Sequence, residues 1–468
     1  MADTSDLKER VLKGGISLTI SQLLVAALSL ASVLVTARIL GPENYGIVTV
    51  SFGIFYFLTW FLKLGAHVYL VRQPDLSEEV VVQLQAFYIT LGILVCVSLW
   101  LLAPATGWWT KQAEVTNAFR WLLPAIWMSM ASSTSISMLE RKVRFVEIGF
   151  IEASSQIVNY LLSIILVLSG WGYLSLIIGT VARFAILLLI SYSLYPISWS
   201  WRWRWKVIEP ALRYGAMYSV SDLLISLKNL RVALLVSRFV SVEAAGIVGI
   251  SIRLVEQLSM LRLIILRMSI SVMAKLRDDP EKTRRVISKG MAYQALLNGA
   301  ICAFFSVSSA WVIPLMFDER WLASAGIFPF IATGALATSI FDLHASTLFA
   351  SGHNRSVAMF NFLYVGMLWL ASSLLTPKLG IWGYGVSEIL ALPIFFTLHY
   401  SVSKLYGSPN YWNTLWIFLA TVIPLFSGIL LSPAWATGIF ILSYSLLFIV
   451  SKNVRGLLLE LRTVKQMT

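Results

Sequence analysis

Apolar runs long enough to cross a bilayer recur along this chain from end to end, and no other feature restricts its folding so sharply. Fourteen can be counted, with cores near 16–37, 45–62, 80–103, 119–139, 146–168, 173–195, 214–236, 243–265, 290–316, 322–350, 356–376, 381–400, 412–431 and 433–450. A hydrocarbon layer of about 30 Å needs roughly 20 helical residues. A soluble fold of 468 residues could not hide the surface of a chain that is 58% hydrophobic and 13% charged. The solvent is lipid, and a lipid-exposed backbone must satisfy its own hydrogen bonds. The runs lack the alternation of barrel strands. The expected fold is therefore an all-α integral membrane protein of about fourteen transmembrane helices.

Lys8, Arg10 and Lys13 precede a full-length first run, with no small-residue cleavage site behind a short apolar core. No cleavable signal is expected. Cys96 and Cys302 both fall inside predicted spans, which points to neither a disulfide framework nor a metal site.

The formal net charge of +13 invites a nucleic-acid reading, but the placement of the charge opposes it. With the N-terminus in the cytoplasm, 25 of the 36 Lys and Arg residues fall on inner segments. Five fall on outer ones (Arg38, Lys111, Arg238, Arg320 and Lys378) and six within spans. That bias is the positive-inside rule. It places both termini in the cytoplasm and makes the basicity topological, so no nucleic-acid partner is expected.

A shift of 200 residues lays the chain on itself without a gap. ARILGPENYGIV (37–48) meets SRFVSVEAAGIV (237–248), and LKGGISLTISQLLV (12–25) meets LRYGAMYSVSDLLI (212–225). Over positions 12–48, 12 of 37 residues are identical, among them the pairs Arg38/Arg238, Glu43/Glu243 and Gly46/Gly246. Matching charges and glycines are not what apolar composition supplies. Six spans separate the copies, so both run in the same direction across the membrane, as parallel repeats about an axis along its normal. The expected organisation is an N-lobe (1–195), a cytoplasmic Trp/Arg linker (196–211), a C-lobe (212–404), two further helices (405–450) and a basic cytoplasmic tail (451–468). The linker alternates Trp199, Trp201, Trp203 and Trp205 with Ser200, Arg202 and Arg204. Such a segment suits an interfacial anchor beside anionic headgroups, with substrate contact by Arg202 or Arg204 as the alternative.

Within the repeat, the stretch Arg38, Gly41, Pro42, Tyr45, Gly46 reads as a structural corner, echoed at Arg238 and Gly246. Gly41-Pro42 ends one helix, Pro42 needs no amide partner at the start of the next, and Tyr45 suits the interface.

Six basic residues fall within spans: Arg120, Arg183, Lys228, Arg231, Arg253 and Arg262. A charge near mid-bilayer costs about 2.5–3.5 kcal/mol on insertion scales, and so faces a protein interior or a wet cavity. Lys228 and Arg231, three apart, share a helical face without an acid at i±3 or i±4. Facing a ligand, they make a cavity suited to an anion. Pairing with Asp222 or another helix, or snorkelling to the interface, are the alternatives. Arg253 and Glu256 are three apart and can neutralise each other. In the fifth run Glu152, Gln156 and Asn159 form one polar stripe at i, i+4 and i+7. The fourth run carries Ser129, Ser132, Ser133, Ser135 and Ser137, residues that mostly let helix backbones approach. Asp342 and His344 raise proton coupling, but two residues apart they point to different sides of a helix, and a satisfied buried histidine is the simpler reading.

The stretch Ala37-Arg38-Ile39-Leu40-Gly41-Pro42-Glu43-Asn44-Tyr45-Gly46 resembles the signature of bacterial polysaccharide transporters, the oligosaccharide flippases of the multidrug/oligosaccharidyl-lipid/polysaccharide exporter superfamily. The likeness extends over the whole chain in length, span count, repeat and basic interior. The repeat copy departs from it: Ser241-Val242 replaces Gly-Pro, and Arg231 stands where relatives often carry an acid. The resemblance implies a flippase that passes undecaprenyl-diphosphate-linked oligosaccharide from the inner to the outer leaflet of the bacterial plasma membrane, for O-antigen, capsule or exopolysaccharide. It also implies contact with membrane lipids and with polysaccharide polymerase machinery. In that reading Lys228, Arg231, Arg253 and Arg262 attract the diphosphate, and Glu152, Gln156 and Asn159 bond the sugar. No cofactor is expected, and a coupling ion, H+ or Na+, stays open. A cation-coupled drug exporter of the same superfamily is the first alternative, although the first two runs contain no internal acid. A membrane-embedded ligase or glycosyltransferase is the second, although the outer loops are short and carry no recognisable catalytic cluster.

Overall fold

The computed structural model describes residues 4–198, 200–218, 220–451 and 454–456. Trp199, the tail residues Lys452, Arg462 and Lys465, and the side chains of Lys8, Arg10, Lys13 and Asp222 lie outside the described set. Every long element is a helix. The chain runs through α1 (Thr4–Lys63), α2 (Ala66–Arg72), α3 (Glu78–Leu102), α4 (Pro104–Thr110), α5 (Ala113–Arg141), α6 (Phe145–Leu168) and α7 (Leu174–Leu194). It continues through α8 (Trp205–Tyr218), α9 (Val220–Arg231), a π-helical turn (Val232–Val236), α10 (Ser237–Phe239), α11 (Val242–Leu258) and α12 (Met260–Leu276). The remainder is α13 (Pro280–Met316), α14 (Ala323–Ala350), α15 (Asn354–Leu379), α16 (Ile381–Leu390), α17 (Phe396–Tyr406), α18 (Trp412–Leu430) and α19 (Pro433–Val450).

Among the described residues, ten helices are long and apolar enough to cross a membrane. The first, Leu24–Lys63, carries two of the fourteen apolar runs. Forty residues of helix would reach about 60 Å, twice the hydrocarbon thickness. Gly41, at φ 68° and ψ 175°, breaks the helical path, and Pro42 follows it inside the merged helix. Only glycine occupies that backbone region without strain, and Pro42 removes one amide from the ladder. The runs at 214–236 and 243–265 do not form single long helices. The former is divided among α8, α9 and the π turn, and the latter is interrupted at Ser259, between α11 and α12. The run at 433–450 forms α19, an apolar helix below the length of the ten.

Contacts divide the chain into two units, Met1–Gly246 and Ile247–Thr468. In the first, α5 packs on α1, α3 and α7, and α6 packs on α7 and α1. Leu139, Ile151 and Leu187 make a buried core cluster across α5, α6 and α7. Small residues allow the close approaches. A β-carbon on Gly179 would lie 2.2 Å from Ser163 Oγ and 2.9 Å from the Asn159 carbonyl oxygen, so α7 lies directly on α6 here. The serines of α5 are buried, and Ser137 Oγ donates back to the Ser133 carbonyl at 2.8 Å.

The Trp/Arg segment is tied to α3. The Arg204 amide donates to Gln83 Oε1 at 2.7 Å, its guanidinium pairs with Glu79, and Trp203 packs edge-on against Phe87 at 5.8 Å. Trp201 and Trp205 stay exposed. The helix α8 starts at Trp205, within the stretch read as linker. Arg141 secures the other end of the same region by donating to the carbonyls of Leu70, Gln73 and Pro74 at 2.6–3.0 Å.

In the second unit α13 packs on α18, α14 and α19, α15 on α16, and α12 on α14. A β-carbon on Gly299 would stand 2.6 Å from Thr421 Oγ1, and one on Gly428 2.6 Å from the Ser306 carbonyl oxygen. The α13–α18 contact therefore depends on absent side chains.

Candidate functional site

The repeated corner forms one contact. A β-carbon on Gly46 would sit 2.0 Å from the Val242 carbonyl oxygen, and one on Gly246 would sit 2.2 Å from the Pro42 carbonyl oxygen. Positions 42 and 242, like 46 and 246, are equivalent under the 200-residue shift. The contact is reciprocal. Tyr45 is buried and Arg38 exposed. Arg238 lies over the Trp109 and Trp108 rings at 5.3 and 5.6 Å and donates to the Trp109 carbonyl at 3.1 Å. Trp109 in turn donates from Nε1 to the Leu234 carbonyl at 2.9 Å. A cation over an indole face is attracted by the ring quadrupole, so Arg238 clamps this end of the seventh run onto α4.

The α9 cations stand just before the π turn. Arg231 is fully buried, and its Nε donates to the Lys228 carbonyl at 3.1 Å. Lys228 is half-buried. Burial of a guanidinium in an apolar helix is costly and is kept where the charge has a use, and π turns often mark such places. The turn that follows packs on α1, where a β-carbon on Gly53 would lie 2.9 Å from Ala233 Cβ.

The other expected cations belong to the second unit and have acidic partners. Arg262 Nε donates to Asp342 Oδ2 at 2.5 Å and its second nitrogen to Oδ1 at 3.0 Å. This two-bond fork neutralises both charges. Removing one member of such a buried pair costs about 3–5 kcal/mol. Arg253 pairs with Glu256 at 3.4 Å, both largely exposed. Two residues beyond Asp342, His344 faces elsewhere, with Nε2 2.6 Å from the Tyr411 hydroxyl, which also lies 2.8 Å from His399 Nδ1.

The polar stripe of the fifth run lies on α6. Glu152 is exposed, while Gln156 and Asn159 are half-buried. Asn159 Oδ1 accepts from Ser163 Oγ at 3.4 Å, so this amide also takes part in the α6–α7 packing.

Sequence reasoning missed a second basic group in the first unit. Lys63 ends α1 and feels the charge of Arg183 on α7. Arg183 Nε is buried without a hydrogen-bond partner, its guanidinium 5.2 Å from the Phe184 ring. His67, on the short helix after Lys63, has its pKa pushed down to about 4 by burial and by the Lys63 charge. In the sequence Lys63 reads only as an inner-face charge, because nothing in the local pattern links it to residue 183. Among the described residues no group of three His, Cys, Asp or Glu could hold a metal.

These features can be set beside known proteins. A family model described as "Polysaccharide biosynthesis protein" matches residues 35–326. The lipopolysaccharide biosynthesis protein WzxC of Escherichia coli (strain K12) is 22% identical over 366 residues, 77% of this chain and 74% of that protein. The teichuronic acid biosynthesis protein TuaB of Bacillus subtilis (strain 168) is 22% identical over 296 residues, 62% of this chain and 61% of that protein. Among solved structures, the lipid II flippase MurJ in an inward closed conformation aligns with a TM-score of 0.68 at 15% identity, over 93% of this chain and 98% of that one. An inward-facing multidrug resistance MATE family transporter of the MOP superfamily aligns with a TM-score of 0.63 at 15% identity, over 81% of this chain and 95% of that one. The chain is a multi-pass membrane protein and belongs to the polysaccharide biosynthesis protein family.

Proposed function

We propose that this protein passes an undecaprenyl-diphosphate-linked oligosaccharide from the inner to the outer leaflet of the bacterial plasma membrane, with fourteen crossings and both termini in the cytoplasm. The lobes 1–195 and 212–404 rock about the pseudo-two-fold between inward- and outward-open states. The head group crosses between them while the polyprenyl tail stays in lipid. The diphosphate is the costly part of the journey, since two phosphates resist hydrocarbon, and cations in a low-dielectric site attract them strongly. Lys228 and Arg231 supply that attraction. Glu152, Gln156 and Asn159 offer hydrogen bonds to sugar hydroxyls. Arg253 and Arg262 have acidic partners and contribute to the site only if these pairs open during transport.

The observation that carries this reading is the sunken Lys228–Arg231 pair beside the π turn, in a chain of a polysaccharide family. Export of surface polymer by a strain carrying only K228Q/R231Q, present in the membrane at wild-type level, should fall below detection. Wild-type export would remove the assignment. The same fold serves multidrug exporters. If depletion of the protein caused no lipid-linked saccharide to accumulate on the cytoplasmic face, that alternative would replace the flippase.

A further inference from the structure

A groove of about 820 Å3 lies between α3 and α5, lined by Trp100, Trp121, Trp127, Leu123 and Pro124. It belongs to no part of the proposed transport site. Its mouth opens among exposed apolar side chains, with Val97, Trp100 and Trp121 all more than half exposed, so in a membrane it faces the acyl chains. The lining holds one cation, Arg120, and one side-chain amide, Asn117. Cys96 is engaged, with Sγ donating to the Leu123 carbonyl at 3.1 Å, and Trp127 Nε1 is a buried donor without a hydrogen-bond partner. Arg120 lies over the Trp100 ring at 4.5 Å, and its Nε is buried with no hydrogen-bond partner. Among the described residues no acid neutralises it. Pro124 lacks an N–H, so the Arg120 carbonyl also loses its helical partner, leaving an acceptor at the same level.

The depth of the cation identifies what could meet it. Arg120 stands seven residues, about 10 Å, from the first residue of α5, and Trp100 two residues from the end of α3. Both therefore lie toward one face of the membrane, at the level of headgroups and interfacial tryptophans.

We propose that this groove binds an anionic glycerophospholipid with a hydroxyl-bearing head. The phosphate meets Arg120, a head hydroxyl donates to the Arg120 carbonyl or bonds Asn117, and the acyl chains lie along the tryptophans. A lipid-linked oligosaccharide fits poorly, because one cation and one amide cannot satisfy the hydroxyls of several sugars. A protein partner would have to enter a concave slot from within the bilayer. The proposal is independent of the direction and substrate of transport, and its failure would leave both untouched.

The test is lipid retention by the full chain in nanodiscs of equal phosphatidylglycerol and phosphatidylcholine, read by native mass spectrometry after transfer to detergent. Wild type should retain phosphatidylglycerol in preference to phosphatidylcholine. R120Q should lose about fivefold of that preference, the worth of one basic residue near a headgroup, and R120K should keep most of it. Thermal unfolding in phosphatidylcholine alone checks that R120Q folds. If it does not, wild type and W100L carry the test, and W100L should retain less of either lipid. Equal retention of the two lipids by wild type, undiminished preference in a folded R120Q, or recovery of a polyprenyl phosphate in place of the phospholipid would each overturn the proposal.

Discussion

The two corners of the repeat reach the same contact by different chemistry. At the first, Gly41 adopts φ 68° and ψ 175°, and Pro42 opens the next helical segment. At the second there is neither glycine nor proline. Val240 turns at φ −114° and ψ −85°, and Ser241 caps α11 by accepting from the Ala244 amide at 2.9 Å. An acidic residue follows each turn, Glu43 or Glu243, where the helix dipole favours it. What the copies share is the glycine four residues on, which in each case lies against the other copy's backbone. The turn is replaceable, whereas the close approach is not.

Substitutions at the shared glycines should therefore act most strongly. Gly246→Leu or Gly46→Leu places side-chain atoms where a carbonyl already lies about 2 Å from the first carbon. Overpacking of this kind costs about 3 kcal/mol or more. Thermal unfolding in detergent should shift down for either variant, and polymer export should be lost. A tolerated leucine at both positions would break the comparison at its root. Gly41→Ala should cost less, about 1–3 kcal/mol, since a side chain strains that backbone region. Its equivalent, Ser241→Ala, should cost about 1 kcal/mol through the lost cap. If the turns are interchangeable, the swap S241G/V242P should move the unfolding midpoint least of all, by about 0.5 kcal/mol or less, because glycine is accepted at N-cap and proline at the first helical position. A severe defect in that swap would show that the second turn has a demand of its own.

The same contrast separates what the sequence reveals from what it hides. Apolar run length places most of the long helices, because lipid imposes one length and one backbone solution on every span. Gly41-Pro42 announces its bend, since those residues act through their own φ and missing amide. The two corners that the 200-residue shift aligns lie against each other, Gly46 on Val242 and Gly246 on Pro42. Other features depend on residues far apart in the chain, where local pattern says nothing. Arg262 finds Asp342 eighty positions away, and Lys63 on α1 feels Arg183 on α7. The break at Ser259 and the π turn after Arg231 are also silent, because both interrupt runs whose composition reads as continuous helix. At the candidate site, the spacing of Lys228 and Arg231 is legible in the sequence. That Arg231 is completely buried is not, because burial is decided by the packing of other helices.

The most direct measurement is leaflet transfer in proteoliposomes that hold the protein and a fluorescent polyprenyl-diphosphate-linked oligosaccharide, read with a quencher that cannot cross the membrane. Wild type should make the labelled lipid on the inner leaflet accessible from outside, while K228Q/R231Q, reconstituted to equal density, should leave it protected as in protein-free vesicles. Equal transfer by wild type and the double variant would contradict a cationic site on the seventh apolar run as the path of the diphosphate.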